Sequence, residues 1–113
     1  MKFIIITLLL ISISMTLCAN LSATKGGTWC VAKPSASDEE LVNNIKYVCE
    51  TLTHTKCSDV IGEGGFCYYP NTLINHASVL MHMYYAEKGR NWWNCDFKGT
   101  GLTAITDPSK LPC

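Results

Sequence analysis

Seven cysteines in a chain of 113 residues are the first sign of chemistry in this sequence. Cys18 belongs to an apolar N-terminal stretch, while the other six are spread from position 30 to the last residue. An even number of cysteines in a small exported chain is typical of a disulfide framework rather than of a metal site. We therefore predict that these six leave no free thiol, although their spacing alone leaves the pairing open. They are Cys30, Cys49, Cys57, Cys67, Cys95 and Cys113.

The titratable residues give little support to catalysis. Glycoside hydrolysis, for example, requires two carboxylates that face each other across a cleft. Residues 38–40 are three consecutive acids at a predicted helix start, and the other carboxylates are isolated. A cysteine nucleophile would need a free thiol, and His76 and His82 are six positions apart, which does not place them on one helix face. We predict no enzyme, no metal site and no cofactor, and we interpret His76 as a helix residue with a structural hydrogen bond.

The first 19 residues have the features of a signal peptide. Lys2 gives a positive start, an apolar run follows over Phe3–Leu10, and small side chains come at the end of the segment. Hydroxyl residues interrupt the stretch, which argues against a transmembrane anchor of roughly 20 apolar residues. Cleavage after Cys18 and cleavage after Ala19 both remain open, and either one removes the odd cysteine.

The rest of the chain divides into a short arm and one domain. Residues 20–27 are a predicted flexible arm with a glycosylation sequon at Asn20, a poor acceptor if it becomes the first residue. Residues 28–113 are too few for a second domain, and disulfides compensate for a small core. Nine basic and nine acidic side chains balance, so no field attracts nucleic acid or an anionic membrane. Because no hydrophobic tail of the kind required for a glycolipid anchor precedes Cys113, we expect a soluble, secreted monomer.

Two helices and a small sheet are predicted to carry this domain, which makes the fold class α+β. The first helix covers about Ser37–Cys49, because Ser37 and Glu40 form a capping-box pattern and apolar residues follow at helical spacing. The second covers about Asn71–Lys88 and stops at a glycine.

Short extended segments flank the helices. Trp29–Ala32 and Gly101–Thr106 read as the strands of a small antiparallel sheet. We predict that Thr53–Tyr69 is a loop rich in glycine and that Arg90–Phe97 is an aromatic loop.

Several short motifs occur in a fixed order between residue 29 and the C-terminus. They are Trp29-Cys30-Val31, Tyr47 before Cys49, Gly64 to Cys67, Pro70-Asn71-Thr72, His76-Ala77, Tyr84-Tyr85, Cys95-Asp96-Phe97 and Asp107-Pro108-Ser109. In this order they resemble plant carbohydrate-binding module family 43, the X-eight domain. The chain departs from that family's frequent residues at Lys56, Val79 and His82, where Asp, Tyr and Asn are common.

The resemblance implies a secreted, non-catalytic module that binds β-1,3-glucan, the polymer of callose, in the plant cell wall. The chain is similar to the free single-domain form found among pollen allergens and callose-binding relatives, and a separate glucanase is an implied partner. The family's pairing implies Cys30–Cys95, Cys49–Cys57 and Cys67–Cys113. The alternative is a secreted protein-interaction or defence peptide that keeps the scaffold without binding sugar. A lipid carrier is less favoured, because such proteins commonly have eight cysteines.

A neutral glucan offers hydroxyl groups and apolar sugar faces, so its binder needs exposed aromatic rings beside hydrogen-bonding side chains. We expect Trp29, Tyr47, Tyr84 and Phe97 in the core instead. Of the adjacent Trp92 and Trp93, we predict that one ring faces outward and the other packs inward. The candidate sugar-binding residues are Tyr68, Tyr69, Tyr85, Arg90, Asn91, Trp92, Trp93 and Asp96.

Overall fold

The computed structural model describes residues 28–105 and Cys113. The predicted leader (1–19), the arm with Asn20 (20–27) and the turn at Asp107–Ser109 lie outside these residues. Within them the chain forms a two-stranded antiparallel sheet, three α-helices and two short 3₁₀ turns, as an α+β fold. The elements are β1 (Trp29–Ala32), α1 (Asp38–Thr51), α2 (Cys57–Ile61), α3 (Leu73–Glu87), the 3₁₀ turns Trp92–Asn94 and Phe97–Gly99, and β2 (Gly101–Ala104).

The start of α1 is fixed by the predicted capping box. The Ser37 hydroxyl accepts a hydrogen bond from the Glu40 N–H (3.1 Å), and the Glu40 carboxylate accepts one from the Ser37 N–H (2.9 Å). Two of the N–H groups that a helix start leaves unpaired are satisfied in this way. Leu41 and Val48 on the inner face of α1 are buried, so the predicted amphipathic helix is confirmed.

The sheet is small, and α3 closes its open side. In the antiparallel pairing Trp29 lies opposite Ala104 and Ala32 opposite Gly101. The Ala32 N–H donates to Ser78 Oγ (2.9 Å) on α3, and the Cys30 N–H donates to His82 Nδ1 (3.2 Å). Side chains of α3 therefore satisfy N–H groups of β1 that a neighbouring strand would otherwise pair.

The core consists of two clusters of buried side chains that meet at α3. One joins β1, α1 and α3 around Leu41, Met81 and Tyr85, and the other joins α1, α2 and α3 around Val48 and Leu80. Phe97 packs against both clusters. One disulfide links α1 to α2, one links β1 to Cys95, and one links Cys67 to the C-terminal residue. The pairing implied by the family resemblance is confirmed: Cys30–Cys95, Cys49–Cys57 and Cys67–Cys113.

The prediction that residues 53–69 form a loop was wrong at one place, because α2 occupies Cys57–Ile61. Its N-cap, Lys56, makes no side-chain capping bond. A five-residue helix is too short to be stable by itself. The disulfide between Cys57 and Cys49 of α1 and the complete burial of Val60 hold it in place.

The second predicted helix is confirmed, with Thr72 as its N-cap residue. The Thr72 hydroxyl accepts a hydrogen bond from the Asn75 N–H (3.2 Å). His76 Nε2 lies 2.7 Å from the carbonyl oxygen of Tyr68, which is the structural hydrogen bond expected for this histidine. Within the described part of the chain, no helix is long and apolar enough to cross a membrane.

Candidate functional site

A groove of about 460 Å³ lies between one face of α1, the C-terminal part of α3 and the segment 93–100. Grooves of this size, lined by aromatic rings and a few polar groups, are the usual form of a small-ligand site. Its wall carries aromatic rings from all three elements together with amide, carboxylate, ammonium and hydroxyl groups.

Three of the four aromatic rings that line the groove contact one another. Tyr84 of α3 makes edge-to-face contacts with Tyr47 of α1 and with Phe97, with ring centroids 5.5 Å apart in both pairs. Phe97 also meets Tyr47, at 6.5 Å. The side chain of Tyr47 is 49% exposed, so its ring remains open to a ligand while its neighbours fix its position.

The hydroxyl groups of Tyr47 and Tyr84 lie 3.1 Å apart and share a hydrogen bond. This bond, with partial burial, raises the pKa of Tyr84 to about 12. The Tyr84 hydroxyl therefore keeps its proton at neutral and acidic pH. A neutral phenol can donate to a sugar hydroxyl as well as accept from one.

Four residues of α1 point into the groove at helical spacing: Glu40, Asn43, Asn44 and Tyr47. Positions three and four apart share one side of a helix. Asn44 ties this side to the opposite wall, since its Nδ2 donates to Thr100 Oγ1 (2.8 Å). Hydrogen bonds from Ser37, first from its backbone and then from its side chain, lower the pKa of Glu40, so the carboxylate is ionised at neutral pH.

The opposite wall is a tight turn with left-handed backbone. Phe97, Lys98 and Gly99 have φ of 44°, 53° and 83°, a region that residues with a Cβ enter at a cost of roughly 1–2 kcal/mol each. Hydrogen bonds hold the turn: the N–H groups of Gly99 and Gly101 donate to the Asp96 carbonyl oxygen (2.9 and 3.1 Å). The Cys30–Cys95 disulfide anchors it to β1, and the Asp96 and Lys98 side chains line the groove.

The two adjacent tryptophans are both exposed, so the prediction that one of them packs inward was wrong. Trp93 lines the groove and is 59% exposed, while Trp92 is 70% exposed and lies outside the lining. They belong to a single 3₁₀ turn on the surface. Neighbouring residues of a strand point to opposite faces, but a 3₁₀ turn does not impose that alternation.

Two further predicted residues, Arg90 and Asn91, do not line the groove. Arg90 Nη1 donates to the Thr28 carbonyl oxygen (2.6 Å), and its guanidinium lies 6.0 Å from the centre of the Tyr85 ring. Asn91 Nδ2 donates to the Lys88 carbonyl oxygen (3.5 Å). Arg90 therefore ties the segment between α3 and the tryptophans to the residue before β1, while the bond of Asn91 is local to that segment.

Tyr85 was predicted as a sugar contact, and the structure does not support this. The side chain is 2% exposed and belongs to the first core cluster with Met81. Its hydroxyl is hydrogen-bonded to Thr28 Oγ1. A buried ring cannot present a face to a polymer. Its neighbour Tyr84, which we had expected in the core, is half-buried: it packs against the second core cluster and also lines the groove.

The last two predicted residues, Tyr68 and Tyr69, lie before the N-terminus of α3. The groove is at the other end of this 15-residue helix, which is about 22 Å long. Tyr69 is 77% exposed, and its ring stands edge-to-face against Tyr68 at 4.8 Å. Tyr68 accepts a hydrogen bond from Asn71 Nδ2 (3.0 Å). The structure thus separates the predicted residues into two regions, with Trp93 and Asp96 alone lining the groove.

The sequence analysis missed most of the groove. Tyr47 and Tyr84 were assigned to the core, and Glu40, Asn43, Asn44, Lys98 and Thr100 were not singled out as site residues. A signal existed on α1, where the spacing of Glu40, Asn43, Asn44 and Tyr47 defines a polar and aromatic stripe beside the apolar one. Lys56, Val79 and His82, which depart from the family pattern, lie outside the groove. Among the described residues no cluster of three or more His, Cys, Asp or Glu side chains could hold a metal ion.

The family model of the X8 domain matches residues 28–102, which include the whole groove. This chain belongs to the X8 domain family. The X8 domain is a carbohydrate-binding module.

Relatives of three kinds share this domain. The chain is 44% identical over 85 residues to major pollen allergen Ole e 10 of Olea europaea, covering 75% of this chain and 68% of the allergen. It is 45% identical over 87 residues to a glucan endo-1,3-beta-D-glucosidase of the same plant, covering 77% of this chain but 18% of the enzyme. Plasmodesmata callose-binding protein 2 of Arabidopsis thaliana is 30% identical over 91 residues, which are 76% of this chain and 43% of that protein. The chain thus spans a fifth or less of the length of the glucosidases that it matches.

Proposed function

We propose that this protein binds β-1,3-glucan in the groove between α1, α3 and the segment 93–100, without catalysing a reaction on it. The observation that carries the proposal is the combination of exposed aromatic rings and polar side chains in one groove. Trp93 and Tyr47 offer ring faces, and Asn43 and Asp96 lie on opposite walls with hydrogen-bonding groups.

A glucan chain matches this combination chemically. Each sugar unit has an apolar face of C–H groups, which packs on an aromatic ring, and hydroxyl groups at its rim, which need hydrogen-bond partners. The groove supplies donors and acceptors at neutral pH: amides from Asn43 and Asn94, an ionised Glu40, and the protonated hydroxyl of Tyr84. Hydrogen bonds from the Ser37 N–H and to the Tyr47 hydroxyl hold the Glu40 carboxylate and the Tyr84 hydroxyl in place before a ligand arrives, which lowers the entropy cost of binding.

The relatives favour the β-1,3 linkage over other linkages. One is named for binding callose, and two are named as endo-1,3-β-glucosidases in which the chain matches only a small part of the enzyme. We propose accordingly that the protein acts outside the cell, in the wall, as a soluble monomer held together by its three disulfides. A separate glucanase that acts on the same polymer is the partner that fits this role.

Retention on insoluble β-1,3-glucan, with cellulose as the control polymer, tests the proposal. We expect the wild-type protein to be depleted from solution by β-1,3-glucan and to stay in solution with cellulose. Equal retention on both polymers would contradict the preference for the β-1,3 linkage. Retention on neither polymer would contradict the proposed function.

Variants then locate the site. Trp93→Ala and Tyr47→Ala should lose most of the retention. Phe66→Ala is the matched control, because Phe66 is an aromatic residue of similar exposure (68%) that does not line the groove. Tyr69→Ala tests the other predicted region. If Tyr69→Ala abolishes retention while Trp93→Ala does not, the groove is not the site.

A further inference from the structure

Trp92 is an exposed ring that the groove does not use. It is 70% exposed and absent from the groove lining, yet its ring packs edge-on against Trp93, which does line the groove. The two ring centres are 5.9 Å apart. Exposed aromatic surface therefore continues without a break from the groove, across Trp93, and onto Trp92.

The turn that carries the pair is held rigidly. The Asn94 N–H donates to the Asn91 carbonyl oxygen (2.9 Å), and the Cys95 N–H donates to the Trp92 carbonyl oxygen (3.0 Å). Cys95 is buried and covalently bound to Cys30 of β1. A ring that is fixed before the ligand arrives contacts it without a further loss of conformational entropy.

The size of the groove decides what Trp92 contacts. A volume of about 460 Å³ is toward the lower end of the range for small-ligand sites, so it holds a short segment of a polymer and the chain must leave it. Where the chain passes over Trp93, the next aromatic surface that it meets is Trp92. The sugar units that contact Trp92 then belong to the same glucan chain that fills the groove.

We propose that Trp92 is an outer subsite, which contacts sugar units that project beyond the groove and makes binding depend on chain length. This proposal rests on the proposed function, because it assumes that a glucan chain occupies the groove. It adds a residue that distinguishes a polymer from a short oligosaccharide.

The angle between the rings adds a preference for chain shape. The planes of Trp92 and Trp93 are 86° apart, so the sugar faces that pack on the two rings must be rotated by about a right angle relative to each other. Chains with β-1,3 linkages coil, whereas β-1,4-linked chains run nearly straight. The contribution of Trp92 should therefore appear with β-1,3-linked chains and be absent with β-1,4-linked chains.

Titration calorimetry with soluble β-1,3-oligosaccharides of increasing length tests this subsite. For the wild-type protein, affinity should rise with chain length beyond the size that fills the groove. Trp92→Ala should bind the shortest ligands as the wild type does and the longest roughly tenfold more weakly, as expected for an aromatic contact residue. Trp93→Ala should bind every length more weakly. Trp92→Leu, which keeps apolar bulk without a ring, should behave as Trp92→Ala does.

Several results would overturn the subsite while leaving the groove intact. Trp92→Ala could have the affinity of the wild type at every chain length, or its affinity could be lower by the same factor at every chain length. Trp92→Leu could restore full affinity for long chains, which would exclude stacking. Thermal unfolding of each variant separates these results from misfolding. If the wild-type protein binds no β-1,3-oligosaccharide of any length, the proposed function itself fails, and the subsite fails with it.

Discussion

Gly101 is the position where one added methyl group should damage the fold most. It begins β2 opposite Ala32, next to the disulfide of Cys95. A Cβ on Gly101 would lie 1.7 Å from the carbonyl oxygen of Cys95 and 3.3 Å from its Sγ, whereas real Cβ atoms stay at least 3.0 Å from such neighbours. Replacement by alanine must therefore separate two backbone segments by more than about 1 Å.

Neither segment is free to move. Cys95 is bonded to Cys30 in the core, and the Gly101 N–H donates to the Asp96 carbonyl oxygen in the turn that forms one wall of the groove. Overpacking in a core typically costs 1–3 kcal/mol, and the rigidity on both sides favours the upper end. We expect Gly101→Ala to lower the free energy of unfolding by about 3 kcal/mol, which for a domain of this size lowers the Tm by roughly 12–24 °C.

Thermal and urea unfolding of the oxidised protein measure this loss. The matched control is Gly64→Ala: Gly64 has a φ of +82° but nothing within 4 Å of its added Cβ. That variant has backbone strain but no clash, and alanine also reduces the conformational freedom of the unfolded chain, which offsets part of the strain. Its free energy of unfolding should therefore fall by only about 1 kcal/mol. If Gly101→Ala loses no more than Gly64→Ala, the close approach of Gly101 to Cys95 is not a structural requirement.

Two further predictions concern protonation and capping. Ser37→Ala removes the capping box and should cost about 1 kcal/mol in thermal unfolding. The pKa of Glu40 should rise only part of the way toward its usual value in an NMR titration, because the Ser37 backbone N–H, the larger cause of the shift, is still present; a full return would contradict this order of causes. The hydrogen bond with Tyr47 and partial burial raise the pKa of Tyr84 from 10.0 to about 12. The neutral phenol therefore stabilises the folded state below pH 10, and this contribution to stability is lost as the pH rises to about 12. Urea unfolding at about pH 8 and about pH 11 should therefore show a smaller alkaline loss of stability for Tyr84→Phe than for the wild type, and an equal loss would refute the shift.

The long elements could be predicted because local and periodic signals agree in them. The capping box of Ser37 and Glu40, followed by apolar residues at helical spacing, defined α1. The five-residue helix α2 lacks both kinds of signal, since Lys56 does not cap it and one turn shows no periodicity. It depends on tertiary partners, the Cys49–Cys57 disulfide and the pocket around Val60, which no local pattern indicates.

The aromatic residues of the site show why burial was harder to predict than secondary structure. Tyr84 and Tyr85 are neighbours on α3, a helix with apolar or aromatic residues on most of its sides, so the pattern could not decide which of them faces the core. The packing of β1 against α3 decides it: Tyr85 lies in the cluster with Cys30, and Tyr84 turns toward α1. Sequence reasoning placed Tyr85 in the candidate site and Tyr84 in the core, whereas Tyr85 is buried and Tyr84 is the half-buried residue that lines the groove.

In the tryptophan turn, the sequence indicated site residues correctly but could not indicate their partners across the groove. Trp93 and Asp96 could be found from the local sequence alone, as an aromatic residue and a carboxylate close to a disulfide cysteine. Their partners across the groove, Asn43 and Tyr47, are about 50 positions earlier in the chain. Only the packing of α1 against α3 and the anchored turn brings them together, and this arrangement is tertiary.

The most direct test of the central claim is an NMR titration of the ¹⁵N-labelled protein with a soluble β-1,3-oligosaccharide. The account predicts saturable shifts of the Trp93 indole N–H and of the side-chain amides of Asn43 and Asn44, while the amides of Asn71 and Asn75 at the far end of α3 stay in place. Saturable shifts confined to residues 68–75, or no saturable shift at all, would contradict the claim that the groove binds β-1,3-glucan.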